Sequence, residues 1–285
     1  MSTPFAVIFF YERASDSLRE LLRFKTASGL ILLALLLLWE TLSPYFIFTK
    51  GRVFHAARNL FLGIINTVLT IFIFIGLWFM AAHWAETNQF GLLNWIELPR
   101  AVHVFCAILL LDFWMYWWHR MNHRLPFFWR FHRTHHSDPK MDVTTASRFH
   151  FGEIFFSSCL RIPLVALLGV QFWDLVFYEM LLSGVVQFHH ANIALTDRAD
   201  RILRCFIVTP FIHKVHHSRV QPETDSNYSS LFSFWDRIFR SLRLRDDPRT
   251  LQYGLENFDE PKKQTLSGLL KTPLEEGTEN KDDYL

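Results

Sequence analysis

Three apolar stretches decide what this chain can fold into. Residues 29–48 (GLILLALLLLWETLSPYFIF), 60–82 (LFLGIINTVLTIFIFIGLWFMAA) and 101–118 (AVHVFCAILLLDFWMYWW) hold almost no charge. A helix crosses a hydrocarbon core of ~30 Å with about 20 apolar residues, and the second stretch meets that length without a break. Glu40 and Pro44 interrupt the first, and the third contains His103 and Asp112. A fourth apolar region, 154–188, is broken by Arg161, Pro163, Gly169, Asp174 and Glu179. It reads as a hairpin of two short helices or as a re-entrant segment. A chain of 285 residues, 51% hydrophobic and 16% aromatic, has no water-soluble core large enough for three such runs. The expected fold is an all-α integral membrane protein, one membrane-embedded domain over 1–285 with about four transmembrane helices.

Charge supplies the orientation. Lys50, Arg52 and Arg58 lie between the first two runs, whereas the linker 83–100 has Arg100 alone against Glu86 and Glu97. The positive-inside tendency then puts 49–59 inside and 83–100 outside, and the third run returns the chain to the cytoplasm. Residues 119–150, with six Arg and Lys, and 189–270 would form a cytosolic cap, and 271–285 a flexible acidic tail. Arg13, Arg19, Arg23 and Lys25 fit this scheme poorly: either the tendency fails there or the first run is a hairpin broken at Pro44. The net charge of +2, without a basic recognition helix, gives no reason to expect a nucleic-acid partner. Cys106, Cys159 and Cys205 are too far apart for a thiolate metal motif and give no disulfide framework. The opening MSTPFAVIFFYERAS lacks a basic n-region and does not read as a cleaved signal peptide. In SSLFSFWDRIFRSLRL (229–244) the apolar residues Leu231, Phe234, Trp235, Ile238 and Leu242 fall at helical spacing. That predicts a helix lying on the membrane surface, capping the core, or doing both.

Histidines carry the chemistry. Of 14, eight fall in three clusters: His119 and His123 in WWHRMNHR, His132, His135 and His136 in FHRTHHSD, and His213, His216 and His217 in IHKVHHSR. On a helix, residues three or four apart share a face. H-x-x-x-H therefore offers two imidazoles on one side, and H-x-x-H-H offers two and sets the third sideways, toward a second ion. Eight imidazoles without thiolates suit iron, zinc, copper or nickel, and exceed the four ligands of one structural zinc. QFHHAN (187–192) reaches the same face, and His190 is favoured over His189 as a ninth ligand. His150, in RFHFGE, is read as a ligand, a ligand's support or a loop anchor. His55, His83 and His103 stand alone and read as structural. Asp112 shares a helix face with His119 and His123, so its carboxylate is expected to accept the outer N–H of a ligand imidazole; the alternative is a structural partner for an arginine. Asp138 and Asp142 are weaker candidates that could simply cap helices.

Taken together, H-x-x-x-H at 119–123 and H-x-x-H-H at 132–136 and 213–217 make the chain resemble the fatty acid hydroxylase / sterol desaturase superfamily. DFWMYWWHRMNH, RFHFGE, QFHHAN and NYSSLFSFWDRIF look like its bacterial branch, and the likeness runs from about residue 50 to 275. Many relatives have proline where this chain has Gly152's neighbour Phe151 after His150, which leaves the role of His150 open. The resemblance implies a helical membrane scaffold with a cytosolic histidine-rich cap. It also implies two iron ions, O2 as co-substrate, and hydroxylation or desaturation of a lipid such as a sterol or fatty acyl chain drawn from the bilayer. Electrons would come from a partner (a reductase, ferredoxin or cytochrome), because the chain has no Rossmann fingerprint or haem motif. Residues 112–118 are candidates for the walls of a lipid entry, or a plain lipid-facing stripe. Two rival classes are a membrane di-zinc hydrolase, which calls for carboxylates at the ions, and a metal-binding or transport protein, which calls for ligands at bilayer depth.

Overall fold

The computed structural model describes residues 4–48, 51–246 and 248–275, with backbone alone over 4–19 and at 21, 22 and 248. Twelve α-helices follow in order among these residues: α1 (Pro4–Leu42), α2 (Arg52–Leu69), α3 (Ile75–Thr87), α4 (Arg100–Arg124), α5 (Pro126–His136), α6 (Phe151–Leu168), α7 (Phe172–His190), α8 (Asp197–Leu203), α9 (Pro210–His216), α10 (Gln221–Thr224), α11 (Phe234–Ile238) and α12 (Leu266–Lys271). A π-helical turn, Thr70–Phe74, joins α2 to α3. No β-strand occurs among the described residues, only isolated bridges. Four segments are long and apolar enough to cross a membrane: Arg23–Leu42, Arg52–Asn94, Arg100–Arg124 and Phe151–Leu168. Their outward faces are apolar, with Leu30, Ile64 and Phe72 each at least 60% exposed, as lipid contact requires. The expected all-α membrane architecture is what the chain adopts.

The broken fourth region is a helical hairpin. α6 and α7, of 18 and 19 residues, are each about 27–28 Å long at 1.5 Å per residue. Gly169 closes α6 in the left-handed conformation (φ 69°). It packs against Gly91 (φ 101°) so closely that a Cβ on Gly91 would stand 2.3 Å from the Ala166 carbonyl oxygen. The α3–α4 linker and the α6–α7 turn therefore share one end of the bundle. Asp174 ties α7 to α4 there, accepting from Arg100 and from His103 Nδ1 at 2.9 Å. Mid-bundle, the charges that break the hydropathy pattern pair with each other: Arg161 lies 2.7 Å from Glu179 and over the Trp78 ring. Trp78, Leu111, Phe172 and Leu175 form the core where α3, α4, α6 and α7 meet.

α1 is unbroken to Leu42, and Pro44 follows its end, so the first run is one helix and not a hairpin. Glu40 fixes that end to the histidine side of the molecule, its Oε1 accepting from Val143 N–H at 2.7 Å and Asn192 N–H at 3.0 Å. Arg23 and Lys25 therefore lie toward the opposite end of the bundle from the histidines. Lys50 lies outside the described residues, as does 276–285 of the expected acidic tail; residues 271–275 close a 3-10 turn whose Thr272 carbonyl accepts from Arg133 at 2.6 Å.

The helix expected over 229–244 is a correction. Only Phe234–Ile238 is helical, and Arg240 (φ 56°) reverses the chain. The cause is Asp236, whose carboxylate accepts from the Tyr228 and Ser229 amides and the Ser241 hydroxyl, folding the stretch back on itself.

Candidate metal centre

α4 and α5 meet at a single extended residue, Leu125 (φ −100°, ψ 117°), followed by Pro126 at the first position of α5. Proline is tolerated there because that N–H has no helical acceptor anyway. The bend folds α5 back beside the end of α4. α9 begins at Pro210 behind the capping hydroxyl of Thr209, and α7 ends at His190. Four helix ends thus bring their histidines to one place.

The nine candidate ligands separate into two groups. His119, His123, His132, His136 and His216 offer ring nitrogens within 4.8 Å of one another, as do His135, His190, His213 and His217, and all nine are buried. The H-x-x-H-H motif divides the same way twice. In α5 the i,i+4 pair His132 and His136 joins the first group and His135 the second; at the end of α9 His213 and His217, the residue that caps the helix, join the second and His216 the first. The rings of the two groups adjoin, His136 stacking on His217 at 4.5 Å.

Second partners orient these rings. Nδ1–H of His119 donates to the Tyr228 carbonyl (2.8 Å), that of His216 to the Ser226 carbonyl (2.6 Å) and that of His190 to the Val186 carbonyl (2.8 Å). His132 Nδ1–H donates to Glu153 (2.9 Å) and His123 Nδ1–H to Asp225 (3.3 Å). A neutral imidazole that donates through Nδ1 has a lone pair on Nε2, so five rings present Nε2 as an electron donor. Burial holds the His135, His136, His213 and His217 imidazoles well below their ordinary range, and neighbouring imidazoles add to the effect. His216 is pushed down to about 3, chiefly by burial. Uncharged rings are the form that binds a metal.

The donor set fits a pair of metal ions on its own unmet needs. His132 Nε2, His216 Nε2 and both ring nitrogens of His136 are buried with no hydrogen-bond partner among the described residues. In the second group His190 Nε2 lies 3.0 Å from both His135 Nε2 and His213 Nε2, and His213 Nε2 lies 3.2 Å from His217 Nε2. One lone pair on His190 cannot accept from two neighbours, whereas a cation among the four nitrogens would engage each of them. Phe149 stacks on His135 at 4.3 Å and closes that side.

The remaining sequence candidates lie elsewhere. His189 stacks on His213 at 3.9 Å but belongs to neither group. His150 is a loop anchor: its Nδ1 caps α6 by accepting from Gly152 N–H (3.0 Å), and its Nε2–H donates to the Leu270 carbonyl (3.2 Å). Asp112 touches neither a ligand imidazole nor an arginine. Its carboxylate accepts from the Leu231 and Phe232 amides, Trp235 Nε1–H and the Tyr178 hydroxyl, so it anchors the loop whose Tyr228 and Ser226 carbonyls accept from His119 and His216. The role expected of Asp112 falls to Glu153 and Asp225. Glu153 stood beside His150 in RFHFGE; Asp225 lies 102 residues from His123, and nothing local marks it. Asp142 caps the 3-10 turn Val143–Ser147, and Asp138 accepts from His55 at 2.8 Å. His103 pairs with Asp174, and His83 is exposed.

Similarity to known proteins bears on the same segment. The family profile "Fatty acid hydroxylase" matches residues 104–241. Ornithine lipid hydroxylase OlsE of Rhizobium tropici is 29% identical over 160 residues, 56% of this chain and 47% of the relative. Alkylglycerol monooxygenase of Homo sapiens is 28% identical over 151 residues, 53% of this chain and 32% of the relative. Cholesterol 25-hydroxylase of Rattus norvegicus is 26% identical over 191 residues, 61% of this chain and 58% of the relative. The chain thus spans about half or less of the length of the first two. No solved structure gives a significant match. The matched segment, similar to the fatty acid hydroxylase family, contains both histidine groups and the carbonyls and carboxylates that orient them.

Proposed function

We propose that this protein hydroxylates or desaturates a membrane lipid, such as a sterol or fatty acyl chain, in an O2-dependent reaction at two iron ions. The observation that carries this reading is the pair of adjoining all-histidine groups with their Nε2 lone pairs turned inward. His119, His123, His132, His136 and His216 would hold one ion, and His135, His190, His213 and His217 the other. When bound, the iron pair supplies the oxidising power toward O2 and an unactivated C–H bond that no side chain has. The chain's own residues do the rest. Tyr228 and Ser226 carbonyls, Glu153 and Asp225 fix the ring tautomers; the buried setting excludes bulk water and holds the lipid carbon in place. Electrons come from an external reductase, ferredoxin or cytochrome. Relatives named for hydroxylation or oxygenation of lipids support the same chemistry. The Arg- and Lys-bearing segment 119–150 supports a cytoplasmic position for the histidine side.

A di-zinc hydrolase would want a carboxylate facing the ions; Glu153 and Asp225 instead meet the Nδ1 edges of His132 and His123. The test is an assay of the iron-loaded protein in lipid bilayers with a chemical reductant and 18O2. The expected product is a bilayer lipid carrying one 18O or lacking two hydrogens, formed only with both iron and reductant. Lipid hydrolysis products, or turnover independent of iron, would overturn the reading.

A further inference from the structure

A cavity of about 470 Å3 opens beside the loop that leaves α1. Its walls are built, not draped. On one side Tyr45 N–H donates to the Asn192 carbonyl (2.9 Å), Phe46 N–H to Asn192 Oδ1 (3.0 Å), and Asn192 Nδ2 returns a bond to the Phe46 carbonyl (2.8 Å). On the other, Arg219 N–H donates to the Gln252 carbonyl (2.8 Å), beside a bridge between Ser218 and Tyr253. Asn192 follows His190 by two residues and Ser218 follows His217 by one, so both walls hang from ends that carry the second histidine group. At the back, the Tyr45 ring lies 5.3 Å from Lys214 Nζ, next in sequence to His213.

The lining has one sign of charge. Lys140, Arg219 and Arg249 line the cavity, and none of its lining residues among the described ones is acidic. Lys140 and Arg52 both lie over the Phe48 ring, at 5.6 and 5.8 Å. Arg219 spends Nη2 on Asp259 and the Tyr253 carbonyl, but its Nε is buried with no acceptor among the described residues. A concave site with three cations and an unmet guanidinium N–H calls for an oxyanion. The surface around the mouth says what carries that oxyanion. Leu42, Ile47, Val53 and Phe54 are 75–81% exposed where two membrane-spanning segments end, an apolar rim at bilayer level.

We propose that this cavity binds the phosphate or carboxylate headgroup of a membrane lipid, held by Lys140, Arg219 and Arg249. The site stands independently of the oxidation reading, since its occupancy needs no metal. The test titrates the full chain, purified in neutral detergent with and without iron, against three probes by native mass spectrometry: phosphatidylglycerol, diacylglycerol with the same acyl chains, and glycerol phosphate. Phosphatidylglycerol should bind roughly tenfold or more tightly than diacylglycerol, and Lys140→Glu/Arg249→Glu should remove that preference while keeping the parent's melting temperature. Arg249→Glu alone, at an exposed position, serves where the double variant melts early, and should weaken phosphatidylglycerol by a smaller factor. Equal binding of the two lipids, or a preference untouched by these variants, overturns the site. Glycerol phosphate binding as tightly as phosphatidylglycerol overturns the lipid assignment in favour of a soluble anion. Failure of lipid oxidation with the binding preference intact would fall on the proposed reaction and not on this site.

Discussion

Glu153 accepts from His132 Nδ1–H at 2.9 Å and from Asn122 Nδ2–H at 3.3 Å. A carboxylate there raises the basicity of the ligand nitrogen and fixes its ring, and losing such a partner lowers metal affinity roughly 10–100-fold. Glu153→Ala should therefore release iron to a competing chelator in that range, and an affinity equal to the parent's would contradict the role. His150 acts on the same stretch differently. Its Nδ1 lone pair caps α6, and burial holds the imidazole below its ordinary range. The unfolded chain takes up this proton below pH ~6.5 more readily than the folded one, so stability from His150 is present above that pH and is lost as pH falls. In His150→Asn, which keeps a capping side chain, the drop in melting temperature between pH 7 and 5.5 should be smaller than in the parent. A drop of the same size would show that His150 does not contribute.

At the scale of elements, the hairpin 226–236 couples the membrane helices to the centre. Asp112 in α4 accepts two of its amides and the Trp235 indole, while its Tyr228 and Ser226 carbonyls orient His119 and His216. Asp112→Leu orphans those buried donors at about 1–3 kcal/mol each and frees the loop. The variant should lose both thermal stability and bound iron in calorimetry and metal analysis; iron content unchanged at a lowered melting temperature would uncouple loop from centre. The helix pairs His119/His123, His132/His136 and His213/His217 were legible because four-residue spacing is a local property of the sequence. The partners that orient them were not: Tyr228 lies 109 residues from His119 and Asp225 102 residues from His123, so only tertiary folding brings them in, and Ser226, ten residues from His216, acts through a backbone carbonyl that its residue type does not mark. Asp112 was legible as a costly intramembrane carboxylate, yet its partners are amides of that loop and not an imidazole. The stripe at 229–244 misled because apolar residues at helical spacing say nothing of Asp236, which turns the backbone on itself. At the other end of the bundle, Gly91→Ala places a Cβ 2.3 Å from a carbonyl oxygen at φ 101° and should lower the melting temperature, at a backbone cost of about 1–3 kcal/mol.

On the scale of the whole molecule, the α3–α4 linker and α6–α7 turn occupy one end of the bundle and the histidines the other. Cys205, exposed between α8 and α9 on the histidine side, and a cysteine placed at exposed Gln89 should therefore react with an impermeant maleimide from opposite faces of sealed vesicles. Cys205 should label from the cytoplasmic face; both sites labelling from one face would refute the layout. The central claim is that two adjoining histidine groups hold two irons, and metal content tests it most directly. Protein purified anaerobically from iron-supplied cells should carry about two irons per chain, one for each group, with His135→Ala and His216→Ala each retaining less. Zinc in both groups regardless of iron supply and reconstitution, or no metal in any of the three proteins, would contradict it.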